Sequence, residues 1–341
     1  MKHSDIDEKE RDHAPLERSF EKVLTPFDRF LKSQSAAGIA LLIAVVSAII
    51  LANSNYQTLY ESINQLPLSI GLGEWRVSYS LHYWVNDGLM TLFFFVLGLE
   101  IKQESLVGDL ANVRSASLVL FMAIGGMLVP AGIYVLIADS GDALRGWGIP
   151  MATDTAFALA ILTLLNDKVP RSLAVILSAL AIVDDMGAVM VISIFYTEQI
   201  DLIALVIAFM VLAILFVGNI LGIRNALFYA AGGILLWWFI LHSGVHATTA
   251  GILLALTIPT RAYAEKGWFI RQMRRLVNRF EAIDEPKQSI FKKNNQHELA
   301  EQAHQIAIKS TTPLQHWSSL HARPISLTIL PIFLYLNSVF A

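Results

Sequence analysis

The sequence predicts an all-α protein threaded repeatedly through a membrane, and three observations carry that prediction. First, 55% of the 341 residues are hydrophobic and only 16% are charged, with a mean hydropathy of +0.55, outside the usual range of soluble chains. Second, long apolar runs recur between short polar loops. In the 26 residues from Ser172 to Thr197 the only Asp, Glu, Lys, Arg or His are Asp184 and Asp185; as a helix this run extends about 39 Å, enough to cross a hydrocarbon core. Third, of the 25 Lys and Arg residues, 23 fall on one side when the loops are counted alternately, with only Arg76 and Arg145 opposite. By the positive-inside rule the N-terminus is cytoplasmic, as is the long 260–323 segment. A soluble bundle of helices apolar all round fits these repeated charge-free runs poorly.

Taken in order, residues 1–34 form a polar cytoplasmic segment, too charged for a cleavable signal peptide. Residues 35–259 carry eight spans: Ala36–Asn53, Trp84–Leu99, Ser115–Ala138, Trp147–Leu165, Ser172–Thr197, Leu202–Ile223, Ala226–Leu241 and Val245–Pro259. Between the first two, at about 68–80, Trp75, Val77 and Tyr79 alternate with polar residues, which predicts a small β-hairpin outside the membrane. It reads either as a loop covering itself or as an edge that pairs two copies of the chain. Residues 260–323 form a cytoplasmic amphipathic and linker segment. Within it, Trp268–Phe280 sets Met273, Leu276, Val277 and Phe280 on one face and Arg271, Arg274, Arg275 and Arg279 on the other, an interfacial helix that suits anionic lipid. No recognition motif points to nucleic acid. Residues 283–311 read as a flexible linker or a loosely packed helix. A ninth span occupies 324–341, which places the C-terminus outside. Gly125-Gly126 and Gly232-Gly233 suit close helix packing, and the absence of cysteine excludes disulfides and thiolate chemistry.

The chemistry concentrates in acids at membrane depth. Asp184 and Asp185 have 12 uncharged residues on each side, and even low estimates put one ionisable residue there at roughly 2.5–3.5 kcal/mol. Two neighbours must face a polar cavity, share protons or hold a cation. Asp154 begins the preceding span after Gly146, Gly148 and Pro150, between Thr153 and Thr155, a segment suited to a break at membrane depth. Broken helices near the midplane are how many secondary transporters build their sites. Three carboxylates without sulfur ligands suit alkali or alkaline-earth ions or protons, which compete for the same oxygens. Asp87 and Glu100 flank a 12-residue uncharged run and read as interfacial anchors or funnel acids. His242 and His246, at the junction of two spans, read as terminus-capping histidines before proton relays.

These residues resemble a known family, the NhaA-type sodium/proton antiporters of bacterial inner membranes. The likeness runs from about Ser35 through Trp84-Val85-Asn86-Asp87-Gly88, Gly98-Leu99-Glu100-Ile101-Lys102, Gly125-Gly126-Met127-Leu128-Val129-Pro130, Ala152-Thr153-Asp154-Thr155, Ala181-Ile182-Val183-Asp184-Asp185-Met186-Gly187 and Ser243-Gly244-Val245-His246. The family is itself one of the type examples of inverted-repeat transporters. The resemblance implies pH-regulated export of Na+ or Li+ in exchange for external H+ by alternating access, with no cofactor. It makes Asp185 the principal carboxylate and Asp184 its neighbour, with Thr153 and Asp154 in the unwound crossing-helix segment. It assigns Asp87 and Glu100 to the cytoplasmic approach and pH-response region and His246 to pH response, and it makes the hairpin near Trp75 a homodimer contact.

Full members have twelve spans, so the resemblance implies an NhaA-like fold lacking the last three helices, including a lysine that pairs with the first aspartate of the diaspartate. Tyr335-Leu336-Asn337-Ser338 stands where the family usually has alanine and glycine, Gln315 stands at a frequent glutamate, and the 262–311 insertion is long. Antiport across the inner membrane is the leading expectation. The alternatives are a non-transporting or partner-dependent member and an intramembrane aspartyl protease, which the absent Gly-x-Gly-Asp setting disfavours.

Overall fold

The computed structural model describes residues 34–72, 75–138, 141–151, 170–197, 200–262, 264, 266–281 and 293–337. Eleven α-helices are described: α1 Gln34–Ala52, α2 Gln57–Asn64, α3 Leu81–Val107, α4 Val113–Ile137, α5 Arg171–Phe195, α6 Leu202–Ile220, α7 Ala226–His242, α8 Thr248–Thr257, α9 Lys266–Glu281, α10 Lys293–Ser310 and α11 Pro313–Asn337. A 3-10 segment, Asp142–Met151, follows α4. The hairpin is present as β1 Pro67–Leu72 and β2 Trp75–Ser80, antiparallel with Pro67 opposite Ser80 and Leu72 opposite Trp75.

Helix ends follow local chemistry. Asn112, Asp201 and Asn225 cap α4, α6 and α7 by accepting first-turn N–H groups. Gly222 and Gly244 take positive φ (80° and 84°) in the turns after α6 and α7, where a Cβ is strained. Pro130 sits inside α4, and Pro324 and Pro331 inside α11.

By length and composition α3, α4 and α6 can each cross a membrane, and α1 with α2, bent by 119°, can make a fourth span. Only 11% of the apolar window of α4 and 22% of that of α6 is buried. Their outward faces carry Phe121, Leu128, Leu136, Phe209 and Ile214 in the open. Water disfavours so large an apolar surface, whereas lipid solvates it. The chain is a multi-pass membrane protein.

The helix boundaries refine the sequence expectation. α3 runs past Leu99 to Val107, so Glu100 and Lys102 lie within it. α8 has only ten residues, about 15 Å at the helical rise and half a hydrocarbon core. α11 begins at Pro313, so the last stretch of the expected linker belongs to that helix. Residues 293–310 form α10, packed on α9, which resolves the choice between flexible linker and helix for that part. Most of the expected span Trp147–Leu165 lies outside the described residues.

α3 is the central strut. Its Met90, Phe94 and Leu97 form one core with Val189 of α5, Ile252 of α8 and Ile329 of α11. Leu99 joins Leu215 of α6, Tyr229 of α7, Ala255 and Ile258 at the end of α8, and Leu314 of α11 in a second core. α3 and α8 run side by side in the same direction at the closest approach their residues allow. A Cβ on Gly251 collides with the Thr91 carbonyl and comes within 2.8 Å of the Phe95 nitrogen, and one on Gly98 meets the Ala255 methyl at 2.7 Å.

Candidate functional site

The diaspartate lies in the middle of α5, a 25-residue helix of otherwise apolar side chains between its ends. Asp184 is buried, 6% exposed, and Asp185 is half-buried. Ala181, Ala188 and Val189 are buried around them. Adjacent helical residues point about 100° apart, so the two carboxyls sit at different depths in the packing. Met186 and Val189 pack into the core shared with α3, and α5 also lies along α4, where Met127 approaches Gly187. A buried acid beside a half-buried one presents carboxyl oxygens in a low-dielectric setting, a donor type that suits a hard cation. Thr153 and Asp154, the expected partners, lie outside the described residues. Among the described residues no three His, Cys, Asp or Glu side chains converge on a metal-sized point.

Asp87 and His246 come together at the hairpin end of α3. They line one pocket of about 380 Å³ with Tyr83, Tyr196, Leu241, Gly244, Val245 and Ala247. Asp87 sits in a π-helical stretch, Trp84–Leu89, of the kind that recurs at functional sites. Its carbonyl accepts from Thr91 Oγ1 at 2.6 Å and from Trp237 Nε1 at 2.7 Å. Trp84, at the start of the same stretch, donates from Nε1 to the Leu68 carbonyl of the hairpin at 3.0 Å. Glu100 lies 13 residues further along α3, about 20 Å away at the helical rise. That separation is the one their flanking of a 12-residue uncharged run implies. His242 is exposed, with Nδ1 2.8 Å from the Trp238 carbonyl of its own helix, which fits the terminus-capping reading.

Two polar groups escaped the sequence reading. Asn86 and Asn337 bond reciprocally: Asn337 Nδ2 donates to Asn86 Oδ1 at 2.8 Å, and Asn86 Nδ2 to Asn337 Oδ1 at 3.2 Å. His82 Nε2 lies 3.0 Å from the same Asn337 oxygen. This network joins α3 to the end of α11, where Tyr60 and Asn64 of α2 also donate to the carbonyls of Tyr335 and Leu336. The only hint was an asparagine at 337 within an apolar helix. The other group is Lys102, whose Nζ donates to the carbonyls of Leu256 and Ile258, both at 2.6 Å, and reaches that of Ala255 at 3.5 Å. It thus satisfies the orphan carbonyls at the end of α8.

Residues 28–340 match the Na+/H+ antiporter 1 family. The chain belongs to that family. It is 58% identical over 335 residues to Na(+)/H(+) antiporter NhaA 1 of Pseudoalteromonas atlantica, an alignment covering 98% of this chain and 71% of the relative. Na(+)/H(+) antiporter NhaA of Dichelobacter nodosus is 43% identical, over 95% of this chain and 70% of its own length. That of Koribacter versatilis is also 43% identical, over 93% and 69%. The family relation covers the diaspartate helix, the Asp87–His246 pocket and the Lys102 contact alike.

Proposed function

We propose that the chain is a Na+/H+ antiporter of the bacterial inner membrane that moves Na+, and Li+ with it, against H+ through the carboxyls of Asp184 and Asp185. The observation that carries the reading is a buried acid beside a half-buried acid at the centre of a membrane-length helix, in a member of an antiporter family. The two carboxyls supply hard oxygen ligands for which an alkali cation and protons compete. A cation stabilises the doubly ionised form and protons the neutral form. Because both ligands use the same oxygens, binding one expels the other, and alternating exposure of the site to the two sides then gives exchange.

Asp185, the more accessible acid, is assigned as the primary ligand, Asp184 as its buried support, and Thr153 and Asp154 as the polar segment that completes the site. The Asp87–His246 pocket is assigned to pH response because it brings an acid of α3 together with a histidine from the turn between α7 and α8. Glu100 is placed on the cytoplasmic approach by the positive-inside orientation, with the N-terminus cytoplasmic and the hairpin outside. Among the described residues no third strand pairs with the hairpin, so its edges suit pairing with a second copy to form a homodimer.

The test is ΔpH in everted vesicles carrying the chain, with Na+, Li+ or K+ added across the neutral to alkaline range. Dissipation by Na+ and Li+ that disappears in Asp185→Asn is expected. Unchanged dissipation in that variant overturns the assignment.

A further inference from the structure

The transport reading uses α3, α5 and α8 and leaves α9 without a role. With α10, α9 forms a helical insertion between α8 and α11. The insertion is pinned at its base: Leu314 N–H donates to the Pro259 carbonyl at 3.3 Å, and Ala264 N–H to the Lys309 carbonyl at 3.1 Å. Ile258, at the end of α8, is fully buried and is also held by Lys102. Eight residues on, α9 begins, within on the order of 28 Å even for a fully extended chain. The base of α9 is therefore tethered close to where the membrane helices end.

The side chains divide the surface of α9 into sectors. Leu276 is buried where α9 packs on α10, whose Leu299 is buried too. Ile270, Val277 and Phe280 are 43%, 52% and 49% exposed. At 100° per residue they fall within an arc of about 80°. Beside that strip, Arg274, Arg271, Arg275 and Arg279 follow in angular order, all exposed. Glu281, the last residue, is the only acid of the helix. Water does not stabilise an exposed apolar strip, and a neutral protein groove leaves four guanidiniums without counter-charge. A membrane with anionic lipids supplies both complements, acyl chains for the strip and phosphates for the arginines.

We propose that α9 docks lengthwise on the surface of the membrane the chain spans. Ile270, Val277 and Phe280 enter the boundary between headgroups and acyl chains, Arg274 at the edge of the strip, with Arg271 beyond it, reaches anionic lipid phosphates, and Arg275 and Arg279 add positive charge on the outer side of the helix. The tether and the charge complementarity select lipid over a second copy or a soluble partner.

Because the natural chain has no cysteine, a single Val277→Cys variant of the full chain takes one nitroxide label, with His304→Cys on exposed α10 as the reference position. Each is reconstituted into phosphatidylcholine vesicles with and without phosphatidylglycerol. Collisional access to oxygen is compared with access to a water-soluble nickel chelate. The expected result is a several-fold rise in the oxygen-to-nickel ratio at 277 when phosphatidylglycerol is present, none at 304, and loss of most of that rise when the four arginines become glutamines. A label at 277 as open to nickel as that at 304 in both lipids overturns the proposal. So does shielding that needs no anionic lipid and grows with protein-to-lipid ratio, which assigns the strip to a second copy. Helical circular dichroism and monodisperse elution confirm that the arginine variant is folded. The readout does not depend on transport.

Discussion

At its hairpin end α3 widens into π-helical turns and meets its neighbours through polar side chains, with Trp237 on the Asp87 carbonyl and Asn337 and His82 about Asn86. Further along, the same helix touches α8 through backbone, with Gly98 and Gly251 at the contact and Lys102 closing it. Side-chain hydrogen bonds tolerate rotation and water insertion, whereas backbone packed on backbone does not. The glycine-packed length of α3 and α8 is therefore the stiffer contact, and the Asp87–His246 end is the more adjustable one. That division puts the Asp87–His246 pocket where the packing is adjustable, while Glu100 and Lys102 lie in the glycine-packed stretch.

Breaking the rigid contact carries the largest expected cost. Gly251→Val drives a branched side chain into the α3 backbone, and overpacking of this kind costs typically about 1–3 kcal/mol and sometimes more. The expected outcome is loss of most folded protein, read as a collapse of monodisperse elution on heating, while Gly126→Ala, at a glycine with open space around it, stays near the parent value. Next in size is Lys102→Met, which leaves the carbonyls of Leu256 and Ile258 without their donor at about 1–3 kcal/mol for a buried group left unsatisfied. A lower thermal midpoint is expected, with substantial recovery in Lys102→Arg. A midpoint unchanged in the methionine variant separates α8 capping from the rigidity of the pair.

The smallest effect belongs to the adjustable end. Asn337→Ala removes the reciprocal pair with Asn86, worth roughly 1 kcal/mol in net hydrogen bonding, so overall stability changes little. Faster hydrogen exchange in Trp84–Leu89 is expected, without change at Gly98–Lys102. Equal acceleration at both ends contradicts the division between a rigid and an adjustable half.

The positions of most helices were legible because hydropathy is local: apolar runs mark α1, α4, α5, α6, α7 and α8 within a few residues, whereas α3 runs on past Leu99 to Val107 and α11 begins at Pro313, well before the expected start at 324. The hairpin was legible from alternation, and its two strands pair as Pro67–Leu72 with Trp75–Ser80. The candidate acids on α5 were legible because a charge deep in an apolar run has no local excuse. Less of the rest was readable. The π-helical turns at Trp84–Leu89 leave no periodic trace, and α10 reads equally as flexible linker or loosely packed helix because its support comes from packing on α9.

The sequence by itself determined that this is a multi-pass membrane chain of the antiporter family with two acids at the centre of a long apolar run. Composition, run length and motif order are properties of consecutive residues. Only the tertiary structure decided that Asp87 shares a pocket with His246, and that Asn86 meets Asn337 across 251 positions. The same holds for Lys102, which ends a helix that begins 146 residues later, at Thr248 (248 minus 102). Such pairings are set by which helices become neighbours, and helix packing depends on shape and small residues, which hydropathy does not encode.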